Sequence, residues 1–369
     1  MSASSRVILF IVNYYPPHVG GLERYVEGLA RALAKITDDE IHVITHHDRP
    51  NLPSMELTPD GVRVHRIDAL FSVAHVFCFP HPAQLWRVLR SFPSDLIRGI
   101  SIHTRFFPIS LMGALFGRWI GTKVILTEHG SNHVRFPSNQ LIEWISKLYD
   151  LTLGRWTISL ATIPTGSSES AVRFAERLGG KRVQLLENAV DLDFWSQQTT
   201  EMNDHFIYIG RIASGKGWEI AVQAHQAQEP EFRKKYPLIL IGDGAETAQL
   251  ISMIKDDSNI QFLGSQGPDV VRRHLHRAVT LNPTQLSEGL QTILIEAAAM
   301  QSWILSSPTA EAVRLVSRGF GKIVTTDWAK AMRESIHERP TLESRMELIN
   351  YSWKNRAEIF LQFLAIEQK

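Results

Sequence analysis

The chain has 369 residues, with Lys+Arg 39 against Asp+Glu 38, and Cys78 is its only cysteine. A length beyond what one hydrophobic core usually serves points to two domains. Balanced charge argues against a general nucleic-acid binder, and a lone thiol excludes an internal disulfide and a cysteine-ligated zinc site, which fits a reducing compartment.

The opening reads as a first strand, because its apolar run is at the short edge for a leader and is followed by aromatics and prolines. Arg6 to Val12 is continuous in apolar character, as expected of a central strand in a parallel sheet covered on both faces. Pro16-Pro17-His18-Val19-Gly20-Gly21 follows, and Leu22, Tyr25, Val26, Leu29, Ala30 and Leu33 recur at helical spacing behind it. That order makes a βα unit whose helix N-terminus can receive a phosphate, although a Gly-Gly pair also serves backbone freedom alone. Further strands are expected at Ile41–Thr45, Val62–Ile67, Ile100–His103 and Val124–Thr127, alternating with helices as in a doubly wound sheet.

Between Gln84 and Lys123 the cations Arg87, Arg90, Arg98, Arg105, Arg118 and Lys123 face only Asp95, interleaved with Trp86, Phe92, Phe106, Phe107 and Trp119. The mixture suits a lipid headgroup interface, and equally helices covering a sheet with their arginines in solvent. The longest nearly uncharged run, 106–117, is well short of the roughly 20 residues that span a bilayer. Thr127-Glu128-His129-Gly130 follows a strand and so belongs to its carboxyl end, where ligands bind in open α/β sheets. His46-His47 and His274-x-His276 lack a third ligand at metal-like spacing and read as surface or strand-end residues.

Leu141 to Leu153 reads as a helix, Leu160 to Thr165 as a strand and Ser168 to Leu178 as a capped helix. Asp191 and Asp193 fall where an aspartate caps or turns the chain, and the polar run from Ser196 to Asp204 marks the domain boundary. In the second half, strand Phe206–Ile209 precedes Gly210-Arg211 and Lys216-Gly217 on a loop, two cations suited to charge developing on a departing phosphate. Leu238–Ile241 and Ile260–Leu263 are two more strands. In Thr284 to Met300 the residues Leu290, Ile293, Leu294, Ala297 and Ala298 define one buried stripe of a helix expected to start near Gly289, with Ser287 just ahead of it. An anion would bind well at that start, where Gly289 admits it to unpaired N–H groups. Glu288 sits at the helix mouth and Glu296 off the stripe.

Glu288 and Glu296, with Gly-Leu directly after the first, resemble the E-x7-E element of retaining GT-B glycosyltransferases, in particular glycosyltransferase family 4. Four further segments are similar to family motifs and stand in the family's order: P-P-x-x-G-G-x-E ending at Glu23, T-x-H-G at His129, G-R-x4-K at Arg211 and Lys216, and the last helix from Tyr351. The run from Asn188 to Phe194 resembles the family's crossing between domains, with Ala189 where glycine is usual. After Met300 the pattern departs: Gln301 to Leu305 and Pro308 to Glu311 replace the family's G-x-P-V-V and glycine-rich turn.

The resemblance implies an α/β protein of the GT-B fold, two Rossmann-like doubly wound domains facing across a cleft. An acceptor domain, 1–190 braced by a C-terminal helix 352–369, would precede a donor domain, 191–350. It implies retaining transfer of a sugar from a nucleotide-diphosphate sugar to a glycan or lipid-linked acceptor, in glycan, polysaccharide or glycolipid biosynthesis. Arg211, Lys216 and the amides near Gly289 would draw off the diphosphate, with Gly210, Leu290 and Gln291 among the donor contacts. Glu288 would hold donor hydroxyls, Glu296 the ribose, and His129 would lie beside the transferred sugar, while Gly20 and Gly21 face acceptor and diphosphate. No metal, no separate cofactor and no nucleic acid is expected; a cytoplasmic location, peripheral on an anionic membrane surface, is. Two rivals are a GT-B sugar-nucleotide epimerase or hydrolase, which alters the donor without any acceptor, and a binding protein with a degenerate site.

Overall fold

The computed structural model describes residues 5–18, 20–49, 51–73, 77–133, 140–197, 204–286 and 291–366. The chain divides into two compact units, 1–189 with 353–369 and 190–352.

The first unit is built on β1 (Val7–Ile11), β2 (Glu40–His46), β3 (Met55–Leu57), β4 (Arg63–Ile67), β5 (Ala69–Val73), β6 (Phe77–Pro80), β7 (Ile97–His103), β8 (Val124–Glu128), β9 (Ile163–Gly166) and β10 (Gln184–Leu185). Eight of them form one sheet in the order β10-β9-β8-β7-β1-β2-β4-β3, and β5 and β6 make a separate hairpin. All pairings in the large sheet are parallel except that of edge strand β3. Strand β1 is buried along its whole length, and the alternation of a strand sends its side chains into two cores. Val7, Leu9 and Ile11 join Ile100, Ile102, Leu126 and Ile158. Ile8 and Phe10 join Tyr25, Val26 and Leu29 of helix Gly21–Ile36, together with Phe360 and Leu364 of helix Trp353–Ala365.

That C-terminal helix closes the second core by direct approach. A Cβ on Gly28 would lie 2.2 Å from the Trp353 indole, so only glycine leaves room for the ring. Arg356 donates to Glu187 at 3.1 Å and Lys123 Nζ to the Leu364 carbonyl at 2.6 Å, both buried or half-buried ties.

The second unit holds β11 (Phe206–Ile209), β12 (Leu238–Ile241), β13 (Ile260–Phe262), β14 (Val279–Asn282), β15 (Trp303–Ser306) and β16 (Gly321–Ile323), in the order β13-β12-β11-β14-β15-β16 and all parallel. Side-chain caps start its helices as the residue types suggest. Asp191 accepts from the Phe194 N–H at 3.2 Å, and Thr309 from the Ala312 N–H at 3.3 Å. In the first unit Ser168 caps helix Glu169–Gly179 in the same way, accepting from the Ala171 N–H at 3.2 Å.

The helix expected to start near Gly289 begins at Thr292 and runs to Ala299, with Gln291 in the cap position. Residues 287–290, and with them Ser287, Glu288, Gly289 and Leu290, lie outside the described residues. Its burial is wider than one stripe: Ile295 and Ala299 are buried along with Leu294, Ala297 and Ala298. The cause is position, since this helix packs on β15 within a closed core rather than on an outer face.

Candidate active site

Both sheets change direction at one point, and that is where an open α/β sheet leaves a crevice at the carboxyl ends of its strands. In the first sheet the chain steps from β1 outward to β2, while β7 begins the opposite side. At the carboxyl end of β7 stands His103, fully buried, and the residue after it, Thr104, has φ 62. A β-branched residue in the left-handed region is strained backbone. Two hydrogen bonds hold the strained turn: the Thr104 N–H donates to the Thr127 carbonyl at 2.9 Å and the Arg105 N–H to the Glu128 carboxylate at 3.2 Å.

His129, just past β8, is brought to this point. Its Nε2 lies 3.2 Å from His103 Nδ1, and His103 Nε2 lies 3.0 Å from Ser101 Oγ, so one imidazole donates to the other. Tyr25 closes the side of the pair, its ring edge-on to His129 at 4.7 Å and its hydroxyl donating to the Leu186 carbonyl at 2.9 Å. Burial pushes His129 down to about 3, and burial with the neighbouring ring pushes His103 well below the ordinary value. Both rings are therefore neutral at ordinary pH, and the pair offers hydrogen bonds without a fixed charge.

The backbone that carries His129 is held by charge. Glu128, fully buried, accepts from the N–H groups of His129 at 3.0 Å and Gly130 at 2.7 Å and pairs with Arg105 at 2.9 Å. Arg105, also buried, pairs with Asp150 at 2.8 Å and lies over the Phe174 ring at 4.4 Å. Asp150 in turn takes His133 Nδ1 at 2.7 Å. Burial opposes the charge on Arg105, but Glu128 and Asp150 more than offset it and hold its pKa up. Sequence reading placed Arg105 in a basic surface stretch and passed over Glu128 and Asp150. The signal available was a carboxylate directly before His129.

Behind β1, Glu23 in the first turn of helix Gly21–Ile36 is buried and its carboxylate lies 3.1 Å from Nδ1 of His18 in the preceding loop, and a Cβ on Gly20 would meet it at 2.1 Å. Gly20 makes room for this approach by lacking a Cβ rather than by its backbone, since its φ of −168 is ordinary extended geometry. At Gly21 a Cβ would find no atom within 4 Å, so that side of the helix start has room for a ligand.

In the second sheet the turning point falls between β11 and β14, and its floor is backbone. Gly242 has φ 144, and a Cβ there would lie 1.8 Å from the Gly210 carbonyl oxygen; Gly217 has φ 83, and its Cβ would lie 2.1 Å from the Pro283 carbonyl oxygen. Only glycine permits these approaches. Beneath the loop from Gly210 to Gly217 the Tyr208 hydroxyl reaches the carbonyls of Arg211 at 3.1 Å and Lys216 at 3.4 Å. Both cations thus sit on a braced loop at the carboxyl edge of β11, Arg211 exposed and Lys216 half-exposed.

At the end of β14, Asn282 and Gln291 exchange two side-chain hydrogen bonds, 2.9 and 3.1 Å, and Asn282 also donates to Ser306 Oγ at 2.8 Å. Gln291 is therefore engaged in fixing the start of helix Thr292–Ala299, a use that its place beside the glutamate motif did not suggest. Glu296 is half-buried on the same helix. The departing segment after Met300 forms β15 and, from Thr309, a capped helix.

The basic stretch is thinner than its sequence suggests. Arg98 pairs with Asp39, Arg105 is interior, and Lys123 is held by C-terminal carbonyls. Phe92 and Phe107 pack against the core and Phe106 is buried. His46 ends β2, as a strand-end residue, and is buried with its Nδ1 2.9 Å from the Asn13 carbonyl oxygen, and His276 is buried as well rather than on the surface. Among the described residues no helix is long and apolar enough to cross a membrane.

Comparison with solved structures defines the class. An Anabaena protein, HepE, solved in complex with UDP, superposes with a TM-score of 0.71 over 97% of this chain and 99% of its own, at 14% identity. Two Rossmann-like units with that likeness make this a GT-B protein. Residues 19–194 match Glycosyltransferase Family 4 and residues 203–338 match Glycosyl transferases group 1, and the chain belongs to that glycosyltransferase family. An uncharacterized glycosyltransferase of Methanocaldococcus jannaschii is 22% identical over 342 residues, 87% of this chain and 85% of that protein. A GDP-mannose:cellobiosyl-diphosphopolyprenol alpha-mannosyltransferase of Xanthomonas oryzae pv. oryzae is 23% identical over 343 residues, 89% and 86% respectively.

Proposed function

We propose that this glycosyltransferase moves a sugar from a nucleotide-diphosphate donor to a lipid-linked acceptor with retention of anomeric configuration. The observation that carries the reading is the braced loop with Arg211 and Lys216 at the turning point of the second sheet. Charge that develops on a departing diphosphate is stabilised most by cations already in place. Arg211 and Lys216 draw off that charge, Glu288 and Glu296 hold donor hydroxyls and ribose, and the Gly289 region supplies amides. Gly210 and Leu290 complete the donor contacts, and Gln291, whose side chain is tied to Asn282, supports them by fixing the start of the helix. At the first sheet His129, neutral and backed by His103, holds a sugar hydroxyl near the reacting carbon, while Gly20 and Gly21 border acceptor and diphosphate. The leaving phosphate takes the acceptor proton on the face it departs from, and the two cations make a metal ion unnecessary.

A lipid-linked acceptor fits the name of the Xanthomonas relative, a mannosyltransferase of cellobiosyl-diphosphopolyprenol. It also fits work at the cytoplasmic face of a membrane, for which Arg87, Arg90 and Arg118 remain exposed in the basic stretch. The test is nucleotide release from UDP-, GDP- and ADP-sugars with and without polyprenyl-diphosphate saccharides, followed by NMR assignment of the new anomeric centre. Acceptor-dependent release with the donor's configuration kept is expected; an inverted product rejects retention, and an altered donor sugar without acceptor rejects transfer.

A further inference from the structure

The helical run 140–160, made of Gln140–Tyr149, a π turn Asp150–Gly154 and Arg155–Leu160, is turned inside out. Between 140 and 156 its buried positions are Ser146, Asp150 and Gly154. Its exposed positions include Leu141 at 68%, Trp144 at 64%, Ile145, Leu148, Leu151 and Trp156. A helix of a water-soluble domain normally buries such a stripe. Here the inward side is claimed by chemistry: Asp150 must reach Arg105, and a Cβ on Gly154 would already lie 3.4 Å from Arg105 Cγ. The apolar side is left facing outward.

The face continues onto two neighbouring helices. Trp86 on Pro82–Arg90 and Trp119 on Pro108–Ile120 are both exposed, with ring centroids 5.2 Å apart, and Pro108–Ile120 packs on Arg155–Leu160. Trp86, Trp119, Trp144 and Trp156 are all the exposed tryptophans among the described residues. The exposed charges on these helices are Arg87, Arg90, Arg118, Lys147 and Arg155, against Glu143, which is half-buried. Lys181 closes the run on the carbonyls of Ser159 at 2.9 Å and Ala161 at 2.7 Å. Burial and the nearby Arg118 both lower its pKa, which marks Arg118 and Lys181 as neighbours.

The composition selects the occupant. A second copy of this chain would bring the same cations against each other, which like-charge repulsion opposes. Tryptophan with aliphatic residues, rimmed by lysine and arginine, matches the headgroup layer of an anionic bilayer on both counts. We propose that the outward face of 140–160, with Trp86 and Trp119 beside it, docks on an anionic phospholipid surface. This rests on the membrane reading above and moves the anchor from the basic stretch to the inverted helix.

The test is sedimentation of the full chain with phosphatidylglycerol–phosphatidylcholine vesicles and with pure phosphatidylcholine vesicles. Wild type is expected to pellet with the first and much less with the second, and a Trp144→Ser/Leu148→Ser variant to lose at least about tenfold in partition. An Ile251→Ser variant, exposed in the other unit, is the control and binds as wild type does. Equal pelleting of wild type and the double variant places the contact elsewhere and overturns this inference while the membrane reading stands. Failure of wild type to pellet with either vesicle removes both. Concentration-dependent self-association that the double variant loses assigns the face to a second copy and overturns the proposal too. Donor-dependent nucleotide release, measured with a water-soluble acceptor, keeps the transferase reading separate from each outcome.

Discussion

The turning points of the two sheets solve the same problem with opposite materials. At the first, buried side chains are matched to one another: a neutral histidine pair over a closed set of Arg105, Glu128 and Asp150. At the second, glycine backbone makes the floor, and the charged groups, Arg211 and Lys216, stand exposed or half-exposed on a braced loop. The difference teaches a division of labour. An edge whose charges are buried and paired with one another can orient a sugar without competing for its phosphates, whereas an exposed edge with cations can receive a charge and let it go.

Arg105→Met is the most severe way to break the contrast, because it leaves Glu128 and Asp150 as buried carboxylates without their cation. A loss of about 3–5 kcal/mol in unfolding free energy is expected in urea melts. Adding Glu128→Gln and Asp150→Asn should recover part of it, and no recovery would mean that packing of Arg105 on Phe174 carries the effect.

At the second edge, Arg211→Ala and Lys216→Ala should each lower turnover by more than ~tenfold with the melting temperature nearly unchanged, since exposed positions contribute little to stability. Near-native turnover in both would remove the leaving-group role.

Acid sharpens the comparison further. His103 and His129 stay neutral in the folded state to well below 6.5, so from about 6.5 downward the unfolded chain binds protons that the folded chain refuses. Stability is then lost as pH falls through that window and regained as it rises, by up to ~1.4 kcal/mol per pH unit for each ring. Urea melts across the mildly acidic range of wild type and His129→Gln should differ in slope, and equal slopes would show His129 protonated in place. The smallest expected effect is that of a chelator: on the proposed reading, in which Arg211 and Lys216 neutralise the diphosphate, turnover should be unchanged by EDTA. Loss restored by magnesium or manganese would overturn that account.

Much of the scaffold is legible in the residues. Phe206–Ile209 and Leu238–Ile241 are read to the residue, and β1, β2, β7 and β8 to within a few, because a strand covered on both faces is a continuous apolar run. Strand β3 and the two-residue β10 carry no such run and lie at the sheet's edges, while the hairpin β5–β6, though apolar, stands apart from the main sheet. Of the candidate site, the residues at strand ends, His129 and Arg211, are found from the strands themselves. Asn282 and Asp150 are not, since each acts through a partner that the fold supplies.

What the sequence determined by itself is the alternation of strands and helices, the order of the motifs and their placement at carboxyl ends, all consequences of local periodicity and of where a strand must stop. What only the tertiary structure decided is direction and dryness. Periodicity in 140–160 shows that the helix has two faces but not which one turns inward; that choice belongs to Asp150 and an arginine 45 residues away. The neutrality of His129 likewise comes from burial among groups such as Tyr25 and His103, which the chain contributes from distant helix and strand, because a histidine's charge is set by the water it loses.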